Sequence, residues 1–491
     1  MLQLINNIDI IDLEKATFDK GTSEAELMSR ASSAFLSWFT DIQPATCNVD
    51  VICGKGNNGA DGFLIAKGLN DRGYRVRILL IGHVKRLGAN KLHLNMIKDR
   101  TAINILHITT AADLLSVKST TVLIDAILGH GINRPVTGAL SQIITACNLS
   151  YETIYGVDTP SGLGDYSGEV LVAMKCTASL AFEFPKVSFF NSAAAEYTGE
   201  WSYTSIGLDK SNLHNYSSKT HLILEEDLRK VLSPRNFATH KGKLGRVLHV
   251  LGHSEMRGAG ILAAQASISA GAGVTYGYSL DKTSQACIPE IAWITSIADE
   301  HFMSKIDVIA IGSGLGTTDV SIACLDKVLE LRHIHLVLDA DALNIISTKE
   351  WLDRIPKGAI LTPHIGEFNR LFPGCKSHHD RIEKQRRYSQ EKEVTIILKG
   401  PYTSTSDKDG NIYYNKTGNP SLAKGGSGDV LTGIVAALRA DPDLTPHQAG
   451  YIGSYLHGLA ADLYVDKHHE RSLTPLRLID YIDTALVKIT R

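Results

Sequence analysis

Short apolar runs that stop abruptly at a polar residue or a glycine recur along this chain, and stretches with helical spacing separate many of them. In the first half they are VDVIC (49–53), YRVRILLIG (74–82), TTVLIDAI (120–127) and TIYGVD (153–158). In the second they are RVLHVLG (246–252), DVIAIGSGLG (307–316), IHLVLDADAL (334–343), GAILTPH (358–364) and VTIILKG (394–400). Such runs, bounded by polar loops, fit the buried strands of a mostly parallel sheet, and the intervening segments complete βαβ units. The fold class is therefore α/β throughout, with binding crevices where loops leave the carboxyl ends of the strands.

A chain of 491 residues exceeds what one hydrophobic core covers, so two domains are expected. Residues 207–245 lose periodicity and gather Asn, Ser, Lys and Pro, which places the domains at 1–215 and 222–491. Ser23 is positioned to cap an amphipathic helix over 23–39, with Leu27, Ala31, Ala34, Phe35 and Trp38 on one face.

With 44% hydrophobic residues, 21% charged residues and a net charge of −2, the chain makes no electrostatic case for nucleic acid or a membrane surface. Its seven cysteines are scattered and never spaced C-x-x-C, which disfavours a disulfide framework or a zinc site. The opening MLQLINNIDIIDLEK has no basic leader, and no apolar run approaches the roughly 18 residues of a membrane span, so the cytoplasm is expected. His378, His379, His468 and His469 are read as solvated surface, and residues 381–393 as an exposed helix face of mixed charge.

Two glycine loops carry the chemistry. GGSGDVLTG (425–433) runs into a helical pattern with Leu431, Ile434, Val435 and Leu438 on one face. Its amides and the helix dipole suit an anion, and Asp429 in the first turn is favoured as an ionised general base, the alternative being a simple cap. Upstream, GKGNNG (54–59) matches G-x-G-x-x-G after a strand, yet His83, Lys85 and Arg86 follow where a ribose-binding acid belongs, and no G-K-[ST] makes it a Walker loop. Asn58, Asp125 and Ser161 are oxygen donors at neighbouring strand ends, suited to a hard cation or simply to pinning their own loops.

GGSGDVLTG, LDADALN (338–344), LTPHIGEFNRL (361–371), LKGPYTS (398–404) and HKGKLGRVLHVLGHSEMRGAGILAAQASISAGAG (240–273) resemble the ribokinase-like superfamily, and within it the ADP- or ATP-dependent NAD(P)HX dehydratases. CGKGNNGADG, DAILGHGINRPVTG (125–138), GVDTPSGL (156–163) and FEFPK (182–186) resemble the YjeF N-terminal domain, the NAD(P)HX epimerase, a Rossmann-like three-layer α/β/α fold. The second resemblance implies that Asn57, Asn58, Gly59, Ala60, Asp61, Gly129, His130, Gly131, Ile132, Asn133, Arg134, Pro135 and Asp158 contact hydrated dinucleotide, with Asn58, Asp125 and Ser161 binding potassium. The first implies that Ala259, Gly312, Gly314, Gly316, His364 and Asp429 face the same substrate in the other domain. Lys399, Gly400, Pro401, Tyr402, Thr403 and Gly428 would then hold ADP or ATP, with Mg²⁺ carried by the nucleotide.

Asp158 and Lys186 are candidate acid/base groups for epimerisation, or else a salt bridge. Three positions depart from the resembled pattern: Ala60 replaces Gly, His130 stands where the residue is generally small, and Ile365 follows His364 where Pro is usual. The implied activity is coenzyme repair, with hydrated NADH or NADPH and an adenine nucleotide as partners, in a homo-oligomer. A small-molecule kinase with a regulatory first domain is the alternative, and a first domain serving only to bind RNA or protein is a third reading.

Overall fold

The computed structural model describes residues 1–82, 103–117, 121–164, 170–211, 213, 216, 218–232, 237, 240–253, 255–281 and 288–490. His83, Lys85, Arg86 and Cys287 lie outside the described residues. The chain divides into two compact units, Leu4–Ser218 and Lys219–Arg491, the latter joined by Met1–Gln3. The first three residues thus belong with the C-terminal unit, where Leu2–Gln3 pairs antiparallel with Thr220–Leu222, and not with the span that begins at residue 1.

In the first unit, a seven-stranded sheet runs Asn104–Ile108, Arg75–Ile81, Asn48–Cys53, Val122–Ala126, Thr153–Val157, Ala178–Phe182, Glu200–Thr204, with every pairing parallel. The order reverses between Asn48–Cys53 and Val122–Ala126. The connections on either side of that point send helix Asn57–Asp71 to one face, where Gly62 meets Val51, and Ala139–Ser150 to the other, where Ile143 and Ile144 pack with Ile52 and Leu123, giving three layers. The loops after Cys53 and Ala126 meet there: a Cβ on Gly54 would stand 1.9 Å from the Ile127 carbonyl oxygen, so only glycine fits. Ser23 caps helix Glu24–Ile42 by accepting from the Glu26 amide at 3.2 Å. Leu27, Ala31 and Phe35 are buried on its inner face together with Met28, Leu36 and Phe39, whereas Ala34 and Trp38 are only partly covered.

The second unit holds an eleven-stranded sheet whose centre, from Ile291–Ile294 through Val274–Ser279, Arg246–Leu251, Val308–Ile311, His335–Leu338 and Ile360–Leu361 to Thr395–Leu398, is parallel. Its order also reverses, between Arg246–Leu251 and Val308–Ile311. Helix Ser427–Arg439 buries Leu431, Ile434, Val435 and Leu438, as their spacing predicts, in a core shared with helices Pro446–Val465 and Pro475–Thr490. It lies against helix Arg257–Ser269 so closely that a Cβ on Gly433 would sit 2.0 Å from the Ala263 carbonyl oxygen. Ser267 Oγ adds a hydrogen bond to the Gly433 carbonyl at 2.7 Å. Packing thus fixes the helix that carries Asp429.

His378 is a correction to the surface reading: it is partly buried at the start of helix His378–Lys392, with Nε2 3.1 Å from Tyr414 Oη, and burial pushes its imidazole down to about 4. That helix also buries Ile382, Gln385, Tyr388 and Ser389, so only part of 381–393 faces water.

Candidate functional sites

The first crevice is a cavity of about 970 Å³ above the switch point of the seven-stranded sheet. Asp158 closes strand Thr153–Val157 with φ 64°, a left-handed conformation that costs a non-glycine residue of order 1 kcal/mol or more and that bonds to its carboxylate offset. Oδ1 is 2.8 Å from Lys186 Nζ and accepts from the Phe182 amide at 3.0 Å; Oδ2 lies 2.9 Å from His130 Nδ1 and accepts from the His130 amide at 3.3 Å. Burial alone would raise this carboxyl, but the Lys186 ammonium and the His130 contacts hold it well below the usual carboxylate range. Lys186 is 1% exposed and also donates to the Phe182 carbonyl at 2.9 Å.

Two more acids face the same space. Burial, with the Asp158 and Glu14 charges, raises Asp61 well above its ordinary value, and its Oδ1 has no hydrogen-bond partner. Glu14, from helix Asn7–Asp19, is raised by burial first, and its Oε1 lies 3.8 Å from His130 Nε2. Asn58 is buried with neither side-chain oxygen nor nitrogen bonded. Behind it, Ser161 donates through its amide to Asp125 Oδ2 at 2.7 Å and through Oγ to Oδ1 at 2.6 Å, and burial pushes Asp125 up to about 6.

Of the residues expected here, Asn57, Asn58, Asp61, Gly129 to Pro135, Asp158 and Lys186 line the cavity. Gly59 and Ala60 do not; both are buried in the first turn of helix Asn57–Asp71, and Asp125 and Ser161 are buried too and do not line it. His130 joins the charged cluster through the carboxylate of Asp158.

The second crevice gathers around helix Ser427–Arg439, whose cap Gly426 has φ 94°. Lys399 Nζ is 2.8 Å from Asp339 Oδ1 and 4.0 Å from Glu367 Oε2, and a Cβ on Gly428 would stand 3.4 Å from that nitrogen. Thr432 Oγ1 donates to Asp339 Oδ2 at 2.8 Å. Burial would raise Asp339, yet Lys399 and these hydrogen bonds bring it below its ordinary value.

Asp429 behaves oppositely. The helix N-terminus favours its ionised form, but burial outweighs that: with Asp339 adding to it and Ser313 and Lys399 only partly offsetting it, the carboxyl is pushed up to about 6. His457 Nε2 donates to the Ser427 carbonyl at 2.9 Å and, pushed down to about 4 by burial, does so as a neutral ring.

His364 and Lys399 face each other across an isolated parallel bridge. His364 caps helix Ile365–Leu371, its Nδ1 accepting from the Gly366 and Glu367 amides at 2.9 and 3.2 Å, so its proton sits on Nε2. Glu367 returns the bond to the His364 amide at 2.8 Å, and this capping box tethers the loop with Ile365 in place. Gly312, Gly314 and Gly316 form the loop after Val308–Ile311, where the Gly316 amide donates to Asp341 Oδ2 at 2.8 Å. Gly400, Pro401, Tyr402 and Thr403 form the turn between Thr395–Leu398 and Ser404–Ser406, and Ala259 lies in the first turn of helix Arg257–Ser269.

Comparison with known proteins matches the family model described as YjeF-related protein N-terminus over residues 24–188 and the one described as NAD(P)H-hydrate dehydratase over 247–484. A bifunctional NAD(P)H-hydrate repair enzyme of Coxiella burnetii is 31% identical, with 98% of this chain and 99% of that protein covered. One from Moorella thermoacetica is also 31% identical, over 90% of this chain and 88% of the relative. The chain belongs to the bifunctional NAD(P)H-hydrate repair enzymes.

Among solved structures, a ribokinase-like superfamily protein from Enterococcus faecalis superposes on 56% of this repair enzyme and 98% of its own length, at 26% identity and a TM-score of 0.50. Sequence reading of the repair enzyme gave no role to Glu14, Asp339, Glu367 or Thr432. Asp339 and Glu367 sit inside motifs already quoted, and their position beside a strand-end lysine is the signal that could have found them. Glu14 carries no such signal, because only the tertiary fold brings its helix to His130.

Proposed function

We propose that this chain repairs hydrated NADH and NADPH in two steps, at two separate crevices: epimerisation at C6 of the nicotinamide ring in the first unit, then nucleotide-dependent dehydration in the second. The observation that carries the reading is Asp429, a partly buried carboxylate raised to about 6, at the N-terminus of a glycine-led helix beside Lys399. At neutral pH it is ionised yet more basic than an exposed aspartate, as a general base for a hydroxyl should be.

In the dehydratase step, Asp429 takes the C6 hydroxyl proton as the oxygen attacks the terminal phosphate of ADP or ATP. Phosphate then leaves with the C6–O electron pair, and loss of a C5 proton restores the ring double bond. Gly428, Lys399 and the turn Gly400 to Thr403 hold the nucleotide, while Ala259, Gly314, Gly316 and His364 face the dinucleotide. Lys399 and the helix amides stabilise charge that builds on the transferred phosphate. Mg²⁺ would arrive with the phosphate oxygens of the nucleotide.

In the first unit, the cluster built on Asp158 and Lys186 supplies the acid/base centre. Asn58, with an unbonded buried amide oxygen, and the Asp125–Ser161 pair form an all-oxygen donor set that fits potassium, which would supply fixed positive charge beside the cavity. No helix among the described residues is long and apolar enough to cross a membrane.

The test is to incubate the pure chain with mixed epimers of hydrated NADH and ADP, ATP or neither. Complete recovery of NADH absorbance with one inorganic phosphate per NADH supports the reading. A phosphorylated product that accumulates would instead make the chain a kinase.

A further inference from the structure

His130 follows strand Val122–Ala126 in the cavity wall, and its ring stands between two carboxylates of the charged cluster. Nδ1 lies 2.9 Å from Asp158 Oδ2. Nε2 faces Glu14, 3.8 Å away, beyond hydrogen-bond range and within the cavity wall. Both Asp158 oxygens are already engaged, one by Lys186 and the Phe182 amide, the other by the His130 ring and amide, so neither is turned to a substrate in the cavity. Held ionised, Asp158 accepts a hydrogen bond from the Nδ1–H of His130 and so leaves the Nε2 lone pair free, the arrangement by which an aspartate orients a catalytic histidine.

We infer that His130 and Glu14, rather than Asp158 and Lys186, move the protons of epimerisation, with Asp158 and Lys186 as positioning residues. This rests on the proposed first-step activity. In the step, His130 Nε2 takes the proton of the C6 hydroxyl, the C6–N1 bond breaks as C6=O forms, and the electron pair left on N1 takes a proton from Glu14. Rotation about C5–C6 and the reverse transfers close the ring on the other face, returning both protons. Burial supports the role of Glu14 by favouring its protonated form, an effect that the nearby Asp158 and Glu24 charges strengthen and that His130 and Lys186 weaken. Asp61, facing the same cavity, is likewise held towards neutrality and does not compete as a base.

The experiment uses the full chain without adenine nucleotide, a single epimer of hydrated NADH, and chromatographic separation of the two epimers across pH. His130→Asn can still donate to Asp158 but offers no base. It should lower kcat about 10²-fold or more, leave KM within a few-fold, and remove the acid limb of the pH profile. Glu14→Gln should remove the alkaline limb, and it carries the test alone if His130→Asn does not fold. Variants with wild-type kcat and an unchanged profile would overturn the inference while leaving the epimerase reading intact. A wild-type chain that interconverts nothing would overturn both.

Discussion

Lys399 Nζ lies 2.8 Å from Asp339 Oδ1, and this pair links the end of strand Thr395–Leu398 to the end of His335–Leu338 beside helix Ser427–Arg439. Asp339 is 2% exposed and Lys399 side chain 20%, so the carboxylate depends on the lysine more than the reverse. Lys399→Met should leave a buried carboxylate supported by Thr362 and Thr432 alone among side chains, at a cost on the order of 3 kcal/mol. The sign with pH is set by Asp339, whose carboxyl is lowered in the fold. Its contribution is present above the unfolded value of about 3.9 and is lost as pH falls through the lower folded value. Denaturant melts should therefore show the largest deficit at neutral pH and a shrinking one towards pH 3, together with loss of nucleotide affinity.

Asp429 should show the opposite linkage. Its carboxyl is raised to about 6, so it contributes stability below about pH 4 that is lost as pH rises through about 6. Asp429→Asn should accordingly stabilise the C-terminal unit by about 1–3 kcal/mol at pH 7 to 8, with little gain in acid, while lowering dehydration by about 10²–10⁴-fold. Wild-type dehydration should fall roughly tenfold per pH unit once pH drops below about 6. Paired thermal melts and pH–rate profiles check both signs.

Gly433 tests whether the position of helix Ser427–Arg439 is set by packing. In Gly433→Ala the new methyl would meet the Ala263 carbonyl oxygen at 2.0 Å, a contact that requires helix Ser427–Arg439 to move. A loss of about 1–3 kcal/mol or more is expected in the C-terminal unit, with dehydratase activity falling and epimerase activity unchanged. Both activities, measured beside the melting curve, separate a local shift from global unfolding.

Much of this architecture was legible in the sequence because its signals are local. The strand ends at Cys53, Ala126, Leu251 and Leu398 follow from apolar runs meeting polar loops, and the buried stripe of helix Ser427–Arg439 follows from its spacing. The illegible parts depend on contacts between distant residues. Leu2–Gln3 is too short to carry a period, and its partner Thr220–Leu222 lies more than two hundred residues away. Glu14 meets His130 only because helix Asn7–Asp19 packs over the switch point. Charge state was the other gap: the dipole at Asp429 is visible from its place in the helix, whereas the burial that overrides it, and the Asp339 and Asp341 charges that add to it, come only with the tertiary fold.

The central claim is that two independent crevices act in series on one damaged coenzyme. The most direct measurement gives the full-length Asp429→Asn chain a single epimer of hydrated NADH with ADP or ATP and follows both epimers and NADH over time. The epimers should equilibrate at the wild-type rate with almost no NADH formed. NADH appearing at the wild-type rate, or epimers that no longer interconvert, would contradict it.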